Sequence, residues 1–238
     1  MNILAINQTI RHICSEISVD LGKSVGWRSM TEADLLHEMA VCVAGSQMRF
    51  EFAVAIADRL RDDGLLLPSA AKNGMQVLKD LARASLDKPV DVPMPDGASK
   101  SYRPRFKNRL ASLLASTMHG IYAQSESLHS ILHRASSAKA ARQALIESVF
   151  GFGPKQASLF LRRIGYCTDL AVLDVHVLDY LRLARGLCVA PSRLGRIATY
   201  EEVEETFREV ASDFGHSVGQ VDLATWLTMR VAKRESLL

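Results

Sequence analysis

Apolar residues recur at helical spacing along nearly the whole chain and period-two alternation is almost absent, which restricts this sequence to an all-α fold. Thr31 is a natural N-cap for a segment that sets Leu35, Leu36, Met39, Ala40 and Val43 on one face. Phe52, Ala53, Ile56, Ala57 and Leu60 form a second stripe, closed by Asp62, Asp63 and Gly64. Residues 69–86 predict another helix with Val77, Leu78 and Leu81 inward, and helices are expected again over 105–122, 126–134 and 137–149. The clear interruption is KPVDVPMPDGASKSYRP, which holds Pro89, Pro93, Pro95 and Pro104. It reads as a loop that can fold back as a short hairpin at Pro95, Asp96 and Gly97.

A chain of 238 residues, 48% of them hydrophobic, has enough apolar material for one large domain or two small ones, and a net charge of only +3 excludes a disordered chain. The longest apolar runs, such as residues 39–44, fall far short of the roughly 20 residues a bilayer requires, so no membrane partner is expected. The opening MNILAINQTIRHICSEI has neither the basic run nor the small-residue cleavage site of a secretion signal, which points to the cytoplasm. Cys14, Cys42, Cys167 and Cys188 are scattered without a CxxC pair. They read as reduced core residues, with no disulfide framework and no metal site.

Charge is unevenly placed. Residues 100–163 carry 11 Lys/Arg against 2 Asp/Glu, whereas residues 1–99 carry 10 against 13 and residues 164–238 carry 8 against 11. Such a block is either a polyanion surface or a solvated basic face. Within it, YRPRFKNR brings Arg105 and Lys107 next to two aromatics with no acid between them, which suits a phosphate-facing loop or a solvated helix start.

The stretch over residues 147–185 carries the chemistry. Gly151 and Gly153 flank Phe152, so a tight turn can expose backbone N–H groups, and Pro154 fits the first position of a helix whose buried side is Ala157, Leu159, Phe160, Leu161 and Ile164. N–H groups beside a helix N-terminus suit an anion, phosphate above all, although a GxG alone also makes an ordinary αα-turn. Lys155 falls in that helix's first turn, where the macrodipole disfavours an ammonium and favours the free amine a nucleophile needs. Asp174 is a favoured N-cap for a helix running to about Arg185, and a carboxylate there is also placed to hold Lys155 or to stabilise developing positive charge. His176, two residues on, points to a different face, as a buried hydrogen-bonded histidine or as a contact to phosphate or base.

GFGPKQASLFLRRIGYCTDLAVLDVHVL resembles the helix-hairpin-helix DNA glycosylase superfamily and is most similar to its archaeal-type 8-oxoguanine DNA glycosylase/AP lyase branch. The likeness is strong over 147–181 and collinear from 31 to 232, with LLHEMAVCVAGSQMRFEFA resembling the first barrel helix and VDLATW resembling the "LDLxxW" near the C-terminus. It implies two helical lobes with the DNA cleft between them. A helical-barrel lobe over 31–165 would end in the helix-hairpin-helix, a C-terminal lobe over 166–238 would carry Asp174, and residues 1–30 would add an N-terminal helix packing on the C-terminal lobe. It also implies that Lys155 attacks C1′ of the deoxyribose and forms a Schiff base that permits β-elimination. Asp174 would deprotonate Lys155 and stabilise the oxocarbenium-like transition state. Gly151 and Gly153 would bind the DNA backbone, Gln47 would lie near the gap left by the flipped nucleotide, and Trp226 would stack on the base with Asp222 one turn before it. The partner implied is double-stranded DNA containing a modified base, engaged by a monomer without a cofactor.

Three departures bear on the substrate. Nothing after Cys188 could build the iron–sulfur cluster of other branches. Val175 stands where this branch usually has Arg, giving a "DVH" like that of the eukaryotic-type oxoguanine glycosylases. With a C-terminal stretch that runs Lys233-Arg-Glu-Ser-Leu-Leu238, the final Lys that helps the branch to recognise 8-oxoguanine is displaced or absent. Three readings therefore stand: a glycosylase/AP lyase for an oxidised purine such as 8-oxoguanine; the same scaffold removing a bulky modified cytosine, such as glucosylated hydroxymethylcytosine, in anti-phage defence; and a non-catalytic DNA-binding module.

Overall fold

The computed structural model describes residues 2–21, 26–46, 48–93 and 97–235. Its elements are α1 (Ile3–Leu21), α2 (Glu32–Gly45), α3 (Phe50–Asp62), α4 (Met75–Asp87), β1 (Val90–Pro93), β2 (Ser99–Tyr102), α5 (Lys107–Tyr122), α6 (Leu128–Arg134) and α7 (Ala138–Ser148), then α8 (Pro154–Arg163), α9 (Val175–Arg185), α10 (Ile197–Ser212) and α11 (Val218–Glu235). The class is all-α, with one two-stranded ribbon among the described residues. Two compact units result: Trp27–Phe152 form one, and α1 with the chain from Gly153 onward forms the other.

In the first unit the expected N-cap forms as a capping box. Thr31 Oγ1 accepts from the Asp34 N–H at 3.2 Å and Asp34 Oδ2 accepts from the Thr31 N–H at 3.0 Å. The helix it starts buries Leu35, Leu36 and residues 39–44, and α3 buries Phe52, Ala53, Ile56, Ala57 and Leu60 against it. Helix α4 turns a different face inward from the one its sequence suggests. Leu78, Ala82 and Leu86 pack on α5, leaving Val77 51% and Leu81 45% exposed. Spacings of four select the 78/82/86 ridge, and Val77 lies about a quarter-turn off it. The proline-rich loop holds the ribbon: Val90 pairs with Tyr102 and Pro93 with Ser99, and Tyr102 stacks on Phe52 with ring centroids 4.3 Å apart. Of the expected turn residues, Gly97 has φ +80°, while Pro95 and Asp96 lie outside the described residues.

The second unit is built on a core in which α1 supplies Ile6, Ile10 and Cys14, packed with Val177, Tyr180 and Leu181 of α9, Tyr200, Val203 and Phe207 of α10, and Val221, Ala224 and Met229 of α11. The Tyr180 hydroxyl donates to Asn7 at 2.9 Å and ties α1 down further. Helix α8 groups with this unit, so the division falls at Gly153 and not at 165. Within that unit Ser158 bonds to Tyr200 of α10 and Arg162 to Asp222 of α11. Cys14 and Cys42 are buried as expected of core thiols; Cys188 is exposed, so that expectation does not hold for it. Among the described residues no helix is long and apolar enough to cross a membrane.

Candidate active site

The approach to the hairpin is fixed by backbone bonds within the first unit. The Val149 N–H closes α7 on Leu145 O, the Phe150 N–H donates to Thr117 Oγ1 at 2.9 Å, and the Phe152 N–H returns to Val149 O at 3.1 Å. Gly151 has φ +92°, a conformation L side chains rarely adopt, and an added Cβ would meet Leu113 Cδ1 at 3.0 Å. Leu113 also lines a shallow groove between the end of α2 and the start of α5, beside Ser46, Met48, Phe106 and Arg109. Gln47 itself lies outside the described residues. Arg105 is exposed, whereas Lys107 opens α5 already ion-paired with Asp87.

Gly153 is the N-cap of α8 and offers no capping side chain; Pro154 fills the first position, as its fixed φ favours. Lys155, in the first turn, is half-buried, and no hydrogen bond or ion pair engages its ammonium among the described residues. Asp174 caps α9 as expected, but with one oxygen. Oδ1 accepts from the His176 N–H at 2.8 Å and the Val177 N–H at 3.0 Å, leaving Oδ2 without a described partner. The helix cap and an available carboxylate oxygen thus coexist in one residue.

Residues 171–173, which lead to Asp174, belong to no helix or strand, and buried side chains satisfy their backbone instead. Ala171 N–H donates to Glu204 Oε1 at 3.0 Å, Val172 N–H to Asp222 Oδ2 at 3.1 Å, and Leu173 N–H to Tyr200 Oη at 3.1 Å. The Tyr200 hydroxyl in turn donates to Ala171 O at 2.8 Å. Asp222 is 1% exposed and its Oδ2 is ion-paired with Arg162; its Oδ1 is buried without a described partner. Burial pushes this carboxyl up to about 6 against the opposing pull of Arg162 and the Val172 N–H, and the charge of Asp174 adds to the rise.

His176 stands edge-on to Trp226, with ring centroids 6.3 Å apart, and Arg230 covers the Trp226 ring at 4.9 Å. The imidazole is half-buried and its Nδ1 has no described partner, unlike the hydrogen-bonded histidine of the bland expectation. Burial holds it below its ordinary range; Lys233 and Arg230 act in the same direction, and Asp174 and Asp179 oppose them. Trp226 is half-buried and Leu227 exposed, so this side of α11 is not its core side, which Val221, Ala224 and Met229 form.

The second unit brings Asp174, His176, Asp222 and Trp226 together at the start of α9 and on α11, and Lys155, on α8, belongs to the same unit. The first unit holds Gly151, Arg105 and Lys107. Sequence reasoning missed Ser158, Arg162, Tyr200 and Glu204. The available signal was the spacing of Lys155, Ser158 and Arg162, which puts three polar side chains along one face of α8.

The family described as 8-oxoguanine DNA glycosylase matches residues 68–216 of this chain. Among curated relatives, an 8-oxoguanine DNA glycosylase/AP lyase of Thermoplasma volcanium is 41% identical over 86 residues, covering 36% of this chain and 40% of that protein. One from Methanocaldococcus jannaschii is 34% identical over 88 residues, covering 37% and 42%. The matched stretch thus spans about two-fifths of these relatives. The crystal structure of the Thermotoga maritima 8-oxoguanine DNA glycosylase aligns with a TM-score of 0.65 at 21% identity, over 94% of this chain and 96% of that one. The Methanocaldococcus jannaschii glycosylase/lyase in complex with a 15mer DNA containing 8-oxoguanine aligns with a TM-score of 0.63 at 19% identity, over 93% and 87%.

Proposed function

The chain belongs to the 8-oxoguanine DNA glycosylase family, and we propose that it flips an oxidised purine, 8-oxoguanine first, out of duplex DNA and excises it with Lys155 as nucleophile. One observation carries the reading. Lys155 offers an ammonium that nothing in the described chain engages, and Asp174 offers a carboxylate oxygen left over after capping its helix. In this mechanism Asp174 takes a proton from Lys155, and Nζ attacks C1′ as the C1′–N bond to the base breaks. The base leaves with the bonding electron pair and takes the proton held by Asp174, which returns that residue to a carboxylate. The carboxylate stabilises the positive charge that develops on the sugar. Loss of the second amine proton with ring opening gives the imine. Removal of a C2′ proton then expels the 3′ phosphate, which is the lyase step.

Gly151 and Gly153 would hold the DNA backbone through N–H groups, Arg105 would meet a phosphate while Lys107 beside it stays paired with Asp87, and Gln47 would lie beside the vacated stack. Trp226 would stack on the flipped base near His176 and Asp222. The protein would act as a monomer on cytoplasmic DNA, without a cofactor. The test is borohydride trapping on an end-labelled duplex with one 8-oxoguanine. A covalent band is expected from the wild type and none from Lys155→Gln, which should still bind the duplex. A band that persists in Lys155→Gln, or base release confined to a bulky modified cytosine, would overturn the assignment.

A further inference from the structure

We infer that Asp222, together with Arg162, is a positioning residue that locks the helix carrying Lys155 to the segment that aims Asp174. This inference rests on the catalytic roles proposed above. Lys155, Ser158 and Arg162 are spaced i, i+3 and i+7, so they share one face of α8. Arg162 reaches the Asp222 carboxylate of α11, and the same oxygen accepts the Val172 N–H, two residues before Asp174. Ser158 is hydrogen-bonded to Tyr200 of α10, whose hydroxyl also holds Ala171 O and Leu173 N–H. Glu204 takes the remaining amide, that of Ala171. The Asp174 N–H folds back on Val172 O at 2.8 Å, so the clamped residue is also the last backbone anchor before the carboxylate.

Two parallel polar links thus run from the Lys155 face of α8 to the three residues that deliver Asp174. Ser158, Tyr200 and Asp222 are buried, and the Arg162 side chain is 19% exposed. A segment outside any helix or strand has no backbone ladder to fix its register, and an error of about 1 Å between nucleophile and base can cost on the order of 10²-fold in rate. Asp222 acts in this scheme from beneath the site, through Val172 and Arg162, and not by reading the base.

The experiment uses a duplex with a single preformed abasic site, which contains no base to read, and scores borohydride trapping at saturating enzyme. Binding is measured in parallel on a duplex bearing a tetrahydrofuran abasic analogue. Asp222→Asn and Arg162→Gln are each expected to slow trapping on the order of 10²-fold with Kd little changed. The double variant should be no slower than either alone, because the two side chains act as one unit. Trapping by Asp222→Asn at the wild-type rate, with only 8-oxoguanine excision or thermal stability reduced, would overturn the inference. Should Asp222→Asn fail to fold, Tyr200→Phe removes the second link while keeping the ring, and a wild-type trapping rate there would count equally against it. If the wild type itself does not trap the abasic site, the proposed lysine chemistry fails, and the inference with it.

Discussion

A carboxyl group as enclosed as that of Asp222 is costly to ionise, because one oxygen has an arginine and an amide while the other has no partner among the described residues. Its pKa lies at about 6 in the folded chain, above the ordinary 3.8, so the folded state takes up this proton first. Between these two values the folded state binds more protons than the unfolded one, and stability falls as pH rises. Above about 6 the loss is complete and constant, on the order of 3 kcal/mol. Asp222→Asn removes that dependence. Urea unfolding at pH 4.5 and pH 7.5 should show the wild type losing stability relative to the variant on going to the higher pH, and parallel behaviour would refute it. Lys155 and Asp174 could be recognised in the sequence because each sits in a short motif whose local geometry, a first helical turn and an N-cap, is set by neighbours. The partners of Asp222 could not. Arg162 is 60 residues away and Val172 is 50 away, and no local rule joins them.

At the scale of elements the hairpin separates two glycines that look equivalent in the sequence. Gly151 is held at φ +92°, and a methyl group there would crowd Leu113, whereas Gly153 has φ −115° and nothing nearer than Gln156 Oε1 at 3.9 Å. Gly151→Ala should therefore cost about 1–2 kcal/mol of stability and weaken binding to the duplex. Gly153→Ala should fall within about 0.5 kcal/mol. Chemical denaturation and fluorescence anisotropy on the two variants compare them directly, and equal losses would show that the turn, as described, does not distinguish them. The helices themselves follow from apolar spacing, and Thr31 and Pro154 begin theirs where cap chemistry puts them. The inward face of α4 was not legible, because Val77 and Leu81 compete with Leu78, Ala82 and Leu86 until α5 is there to select a ridge. Nor was the membership of α8, whose Ser158 and Arg162 find partners on α10 and α11, 42 and 60 residues further along the chain.

Over the whole molecule, the basic excess in residues 100–163 has to be discounted by what the fold already neutralises. Lys107 is paired with Asp87, Arg134 with Glu126 and Arg162 with Asp222, and Arg142 is fully buried. Lys100, Arg103, Arg105, Arg109 and Lys139 remain exposed without an ion pair among the described residues. DNA binding releases counterions in proportion to the phosphates neutralised, so these five side chains set the salt dependence. A plot of log K against log salt should have a slope of about −4.5, well short of about −10, the value if all 11 Lys/Arg of the segment counted. Arg105→Gln should reduce the magnitude by about 0.9. Removing the neutral pair through Lys107→Gln with Asp87→Asn should leave the slope where it was, because that lysine has no net charge to offer a phosphate. A slope near −1, or an equal effect of the paired and unpaired substitutions, would mean that the basic segment does not meet the DNA and that affinity comes from the hairpin N–H groups and base stacking instead.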